Sequence, residues 1–139
     1  MEAVDIVPTI LEALGLPAAP HVVEGQSLIP LLQGPAPTPW RDAVFSELDY
    51  AFRDARRALG RGVDVCQAWM VRTERWKYVH WRGMRPQLFD MADDPDELLD
   101  LGDAAGYEGV RQEMKDRLID WQQGRKVRTT VNHPTVERR

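Results

Sequence analysis

Few side chains in these 139 residues can do chemistry, and each has a plainer structural use. Cys66 is the single thiol; it would need His80 and an acid to converge on it before acting as a nucleophile. A small buried hydrophobe at the start of a strand is the preferred reading. Ser27 sits in GQSL, which lacks the glycine spacing of a nucleophile elbow, and is read as a helix cap. Asp90, Asp93, Asp94, Asp96 and Glu97 have the composition of a calcium loop without its alternating ligands and central glycine. Pro95 after Asp94 suits a turn that ends a strand. His21, His80 and His133 are far apart, and Cys66 has no partner thiol, so the spacing speaks against a zinc site. The glycines of GRG (60–62) are followed by Val63-Asp64, not by the lysine and hydroxyl of a phosphate loop. His80, Arg82 and Arg85 lie close together in sequence and are the candidates to meet an anionic ligand, as part of a pocket wall. Trp69, Trp76, Tyr78 and Trp81 either line such a pocket or pack a core, and packing is preferred.

The elements that would position these groups follow from periodicity. Residues 68–81 (AWMVRTERWKYVHW) alternate bulky and polar on both sides of Thr73-Glu74-Arg75, which predicts two antiparallel strands and a tight turn. Strands are expected over residues 43–50, 67–73, 76–81 and 87–91. A helix is expected over 4–14, with Val4, Val7, Ile10, Leu11 and Leu14 on one buried stripe and Asp5 as its cap. A shorter helix is expected within 25–34 and an Arg-rich insertion, partly helical, over 52–64. Pro35, Pro37 and Pro39 make an extended connector ending at Trp40. Residues 107–123 bring Val110, Met114, Leu118 and Trp121 to one helical face. The fold class is therefore α+β: a four-stranded antiparallel sheet packed by a C-terminal helix and preceded by one or two helices. Val71 and Tyr78 are expected on the face under that helix.

Composition bounds the rest. Hydrophobic residues make up 43% and charged residues 29%, which suits a globular domain. No apolar run approaches a membrane span, and no secretory signal is visible. One cysteine fits a reducing, cytoplasmic setting. The net charge of −4 is unevenly spread, with eleven acids between Asp90 and Asp120 against Arg111, Lys115 and Arg117. The tail from Gly124 carries Arg125, Lys126, Arg128, Arg138 and Arg139 against Glu137. Without interleaved aromatics, that tail is expected to pair with acidic protein surface and not with nucleic acid.

Four motifs in order, VDIVPTILEALGLP (4–17), EGQSLIPLLQG (24–34), VRTERWKYVHW (71–81) and LFDMADDPDELLDL (88–101), resemble the C-terminal part of sulfatases. Within that alkaline phosphatase superfamily, the pattern is most similar to phosphonate monoester hydrolases and related arylsulfatases. The resemblance implies a large α/β domain followed by a small α+β domain. Residues 1–40 would be a helical remnant of the first with a linker, 41–123 the second, and 124–139 a basic extended tail. It also implies hydrolysis of sulfate, phosphate or phosphonate esters by a formylglycine made from a Cys/Ser-x-Pro-Ser-Arg motif, with a divalent metal as Lewis acid. Cys66 is followed by Gln67-Ala68-Trp69-Met70, so that role does not carry over to it. The metal-binding aspartates and the catalytic lysine and histidines of the family precede the residue 4–14 helix and have no counterpart here. Met1 interrupts the family pattern just ahead of that helix. The expectation is the last portion of a sulfatase-like enzyme, with no catalytic, metal or cofactor residues of its own and no activity alone. The alternative is an interaction module that self-associates or docks on a sulfatase catalytic domain.

Overall fold

In the computed structural model, which describes residues 2–19, 23–34 and 40–124, strands pair in the order they leave the chain. β1 (Val44–Asp49), β2 (Gln67–Arg72), β3 (Trp76–Trp81) and β4 (Gln87–Asp90) form one antiparallel meander. The alternation of the sequence sets the register: Phe45 opposes Val71, Val71 opposes Tyr78, and Tyr78 opposes Leu88. These residues share one face, because side chains alternate strictly along a strand. Val71, Tyr78 and Leu88 on it are buried, as are Met114 and Leu118 of the C-terminal helix α4 (Glu108–Gly124). Tyr107, just before α4, meets the Trp76 ring edge-on at 6.0 Å between centroids.

The β2–β3 turn is tied by Thr73, whose N–H donates to the Trp76 carbonyl at 2.8 Å while its Oγ1 accepts from the Trp76 N–H at 3.0 Å. Between β1 and β2, the Arg-rich segment forms a short helix α3 (Asp54–Ala58) and a 3-10 turn (Val63–Val65). Cys66 follows, fully buried against Tyr50 and Ala51 with Trp81 and Met84 beside them.

Residues Arg41–Asp120 form one compact unit, and Met1–Trp40 with Trp121–Arg139 group into another. In the second, a 3-10 turn (Ala3–Asp5) leads into α1 (Ile6–Ala13), and α2 is Ile29–Gln33. Asp5 is buried but does not cap α1 as expected. Its carboxylate accepts from the Glu2 N–H at 2.7 Å and from the Gln26 N–H at 3.0 Å, which pins the loop before α2 to the start of α1. Thr9 Oγ1 adds a bond from the Leu28 N–H at 2.9 Å. Gly25 makes the approach possible: a Cβ there would lie 2.1 Å from the Val4 carbonyl oxygen. Ser27 is not the cap expected of it: Leu28 holds the N-cap position without a side-chain bond, and Ser27, one residue earlier, accepts at Oγ from the Ile29 N–H at 3.2 Å.

The expected stripe on the first helix is present but not buried. Val4, Val7, Ile10 and Leu14 are exposed, because the loop after α1 docks on Asp5 and Thr9 and leaves that face open. His21, Pro35, Pro37, Pro39, His133 and the tail from residue 125 lie outside the described residues. Among the described residues, no helix is long and apolar enough to cross a membrane.

Candidate functional site

His80, Arg82 and Arg85 all sit at one end of the sheet, where β3 leaves for β4. Strand alternation puts His80 on the face under α4, beside Trp69 with ring centroids 6.0 Å apart. Burial, and then the nearby charge of Lys115, hold the His80 imidazole below its usual pKa, so it is neutral at physiological pH. A neutral ring offers an anion a hydrogen bond but no charge. Trp81 points to the opposite face, where its Nε1–H donates to Gln87 Oε1 at 2.8 Å.

The turn that follows carries both arginines. Gly83 takes a positive φ of 67°, and a Cβ there would be 2.8 Å from an Arg61 Nη, so glycine serves both the turn and the approach of that guanidinium. Arg61 donates through Nη2 to the Arg82 carbonyl at 2.7 Å and through Nη1 to the Gly83 carbonyl at 3.4 Å. Arg82 donates to Gln67 Oε1 at 2.6 Å. Arg85 lies 2.8 Å from Asp100 and 3.5 Å from Asp103, so its charge is already matched. No hydrogen bond or ion pair joins any two of His80, Arg82 and Arg85. Arg61 was not singled out from sequence; the dense arginines of residues 53–61 were the signal for it, and its partners are backbone carbonyls that no pattern marks.

The acidic segment after β4 is scaffold in its contacts. Asp90 is buried and receives Arg75 through Nη2 at 2.9 Å and Nε at 3.2 Å. Those bonds, with the Ala92 N–H, outweigh burial and hold the Asp90 carboxyl below its usual pKa. Asp94 accepts from the Leu98 and Leu99 N–H groups at 3.0 and 2.8 Å, which is the turn expected of Asp94-Pro95. Glu97 pairs with Lys77. Burial pushes the Asp100 carboxyl up, but bonds from the Gly102 and Leu88 N–H groups together with Arg85 bring it below the usual range.

A four-stranded antiparallel meander covered by a C-terminal helix is the α+β arrangement that the resemblance to the C-terminal part of sulfatases, in the alkaline phosphatase superfamily, implies. The chain belongs to the N-sulphoglucosamine sulphohydrolase C-terminal family, whose model matches residues 1–124. It is 30% identical over 137 residues to the multifunctional alkaline phosphatase superfamily protein PehA of Trinickia caryophylli, covering 95% of this chain and 26% of that protein. It is 34% identical over 147 residues to arylsulfatase K of Gallus gallus, covering 96% of this chain and 22% of the relative. The phosphonate monoester hydrolase of Agrobacterium radiobacter superposes with a TM-score of 0.72 at 36% identity, over 86% of this chain and 24% of that one. The chain thus spans about a quarter of the length of these relatives.

The residues described do not fit the formylglycine or the metal of that superfamily. The Cys66 side chain is fully buried, its Sγ–H donates to the Gly62 carbonyl at 3.0 Å, and Gln67-Ala68-Trp69 follow it. Among the described residues, no group of three or more His, Cys, Asp or Glu side chains is placed to hold a metal ion.

Proposed function

We propose that this chain is the non-catalytic C-terminal part of a sulfatase-like or phosphonate monoester hydrolase-like ester hydrolase. It has no turnover by itself and acts as scaffold for a catalytic partner that carries the nucleophile and the metal. The observation that carries the reading is the match of residues 1–124 to a C-terminal domain family whose full-length relatives are about four times longer. The engaged state of Cys66 and of Asp90, Asp94 and Asp100 supports it, since each is already committed to a partner within the fold. A cytoplasmic setting, consistent with one unpaired thiol, belongs to the same reading.

The test is an assay of the purified chain on an aryl sulfate and on a phosphonate monoester, with and without added manganese or calcium. No metal-dependent turnover is expected; metal-dependent hydrolysis that scales with protein concentration overturns the proposal.

A second reading, an oligomerisation or docking module, rests on the exposed stripe Val4, Val7, Ile10 and Leu14. Apolar surface gathered on one helix face favours association. Sedimentation of the full chain across a wide concentration range decides it: concentration-dependent association is expected, and a strict monomer throughout counts against it.

A further inference from the structure

The unit Arg41–Asp120 exposes two adjacent leucines on the loop after β4, Leu98 at 85% and Leu99 at 62%. Their loop is fixed in place. The Asp94 carboxylate accepts from both of their N–H groups, and the Asp94 carbonyl accepts from the Glu97 N–H at 3.2 Å. Glu97 takes a φ of 59°, a left-handed conformation that a residue other than glycine holds only at a cost. Its carboxylate is tied to Lys77, whose ammonium lies 5.9 Å from the centroid of the Phe89 ring. A single exposed leucine is ordinary, but here a strained and anchored loop holds two of them in solvent. Acids accompany them. Asp93 reaches only to 4.0 Å from Arg75, and Asp96 has no cation within 4.0 Å among the described residues.

The same unit has an apolar depression elsewhere on its surface. A pocket of about 240 Å³, lined by Leu59, Trp81, Met84, Arg85 and Gln87, opens where β3 leaves for β4. Its polar members are already engaged: Gln87 Oε1 accepts from Trp81 Nε1–H at 2.8 Å, and Arg85 faces Asp100 and Asp103. What remains for a visitor is the apolar surface of Leu59, Trp81 and Met84. The volume admits an aliphatic side chain and falls below the usual range of a small-molecule site. Leu98 and Leu99 are not among the lining residues, so they do not fill the pocket in their own chain. Leu59 belongs to the segment 53–61, in which Arg53, Arg56, Arg57 and Arg61 stand against Asp54 alone. None of these four arginines has a carboxylate within 4.0 Å among the described residues. Acid therefore goes with the leucine pair, and base with the segment that supplies a pocket wall.

We propose that the Leu98–Leu99 loop of one copy docks in the Leu59, Trp81 and Met84 pocket of a second copy of this chain. The charges match as well as the apolar surfaces, since Asp93 and Asp96 arrive with the leucines and the arginines of 53–61 with the pocket. Because one chain carries both halves, the occupant is another copy and not an unrelated protein. The loop is preorganised by Asp94 and Lys77, which lowers the ordering cost of docking. Each copy gives a loop and offers a pocket, so the contact is heterologous. One loop in one pocket is a small interface, and small interfaces are weak and transient. The contact uses neither α1 nor a catalytic group, so its outcome is separable from both readings of the function.

The experiment is sedimentation equilibrium of the full chain from micromolar to millimolar concentration, at low and at physiological salt. Two variants change exposed side chains only: a loop variant, Leu98→Asp with Leu99→Asp, and a pocket variant, Leu59→Asp. The unaltered chain is expected to associate as concentration rises, and less so as salt is added. Each variant alone is expected to associate about tenfold or more weakly. An equimolar mixture of the two is expected to recover a two-chain complex and nothing larger, because one intact loop then meets one intact pocket. Val7→Ser with Ile10→Ser, on the α1 stripe, should leave the loop-and-pocket contact, and so the loss in each variant and the recovery in the mixture, unchanged. A monomer at every concentration overturns the proposal and leaves the two surfaces to a different protein. Association that neither variant weakens, that ignores salt, or that the mixture fails to recover overturns it too.

Discussion

In the unit Arg41–Asp120, Val71, Tyr78, Leu88 and Met114 are at most 2% exposed, whereas Val7, Ile10 and Leu14 on the first helix are between 52% and 67% exposed. Both regions have regular apolar periodicity in the sequence, at period two in the strands and near period 3.6 in the helix. The meander and α4 supply each other's missing face. α1 meets its own loop through Asp5, Thr9 and Gly25, all on a polar seam, and its apolar stripe gains nothing from that contact. Periodicity therefore specifies which side of an element is built for burial, but not whether the same stretch of chain provides the cover. One region buries its own apolar face; the other leaves its apolar stripe exposed.

The largest expected effect separates the two regions by core truncation. Leu88→Ala empties a fully buried site in the sheet and should cost about 2–5 kcal/mol. Ile10→Ala on the exposed stripe should stay within about 0.5 kcal/mol. Urea denaturation of both variants checks the pair, and equal costs break the comparison.

Two glycines sharpen it further, since each is pressed against a backbone carbonyl. A Cβ at Gly102 would lie 2.2 Å from the Pro86 oxygen, and one at Gly25 would lie 2.1 Å from the Val4 oxygen. Gly102→Ala should lower the main unfolding transition by about 1–3 kcal/mol. Gly25→Ala, with the same clash, should leave that transition in place and release only the loop from α1, seen as new exchange at the Gln26 and Leu28 amides. A main transition lowered equally by both shows that α1 is part of the cooperative core.

A smaller effect concerns pH. Asp90 and Asp100 both have carboxyl pKa values held below the unfolded range, so the folded state binds fewer protons near pH 4 than the unfolded state does. Their contribution is present above the unfolded pKa of about 3.9 and is lost as pH falls through the folded values. Asp90→Asn should therefore flatten the acid limb of stability against pH for the main transition, and an unchanged limb removes the Arg75–Asp90 pair from the account.

Much of the region that buries its own apolar face was legible beforehand. The bounds of β3 agree with the alternation WKYVHW to the residue, the turn at Thr73–Arg75 is where the pattern breaks, and the Val71–Tyr78 face is the one under α4. Strand ends and the Asp94-Pro95 turn were legible because they depend on neighbours in sequence. What was not legible depends on distant partners. The Arg75–Asp90 bond spans fifteen residues, the Asp5–Gln26 bond twenty-one, and Arg61 binds carbonyls that carry no side-chain signal. Of the candidate site residues, the type and proximity of His80, Arg82 and Arg85 could be read, but not that Arg85 is matched by Asp100 while Arg82 is left with an uncompensated charge.

Native-state hydrogen exchange on the full chain tests the difference between the two regions most directly. The account predicts that amides of β2 and β3 exchange only through global unfolding, while those of α1 exchange through local opening at far lower cost. Protection of α1 equal to that of the central strands would contradict it.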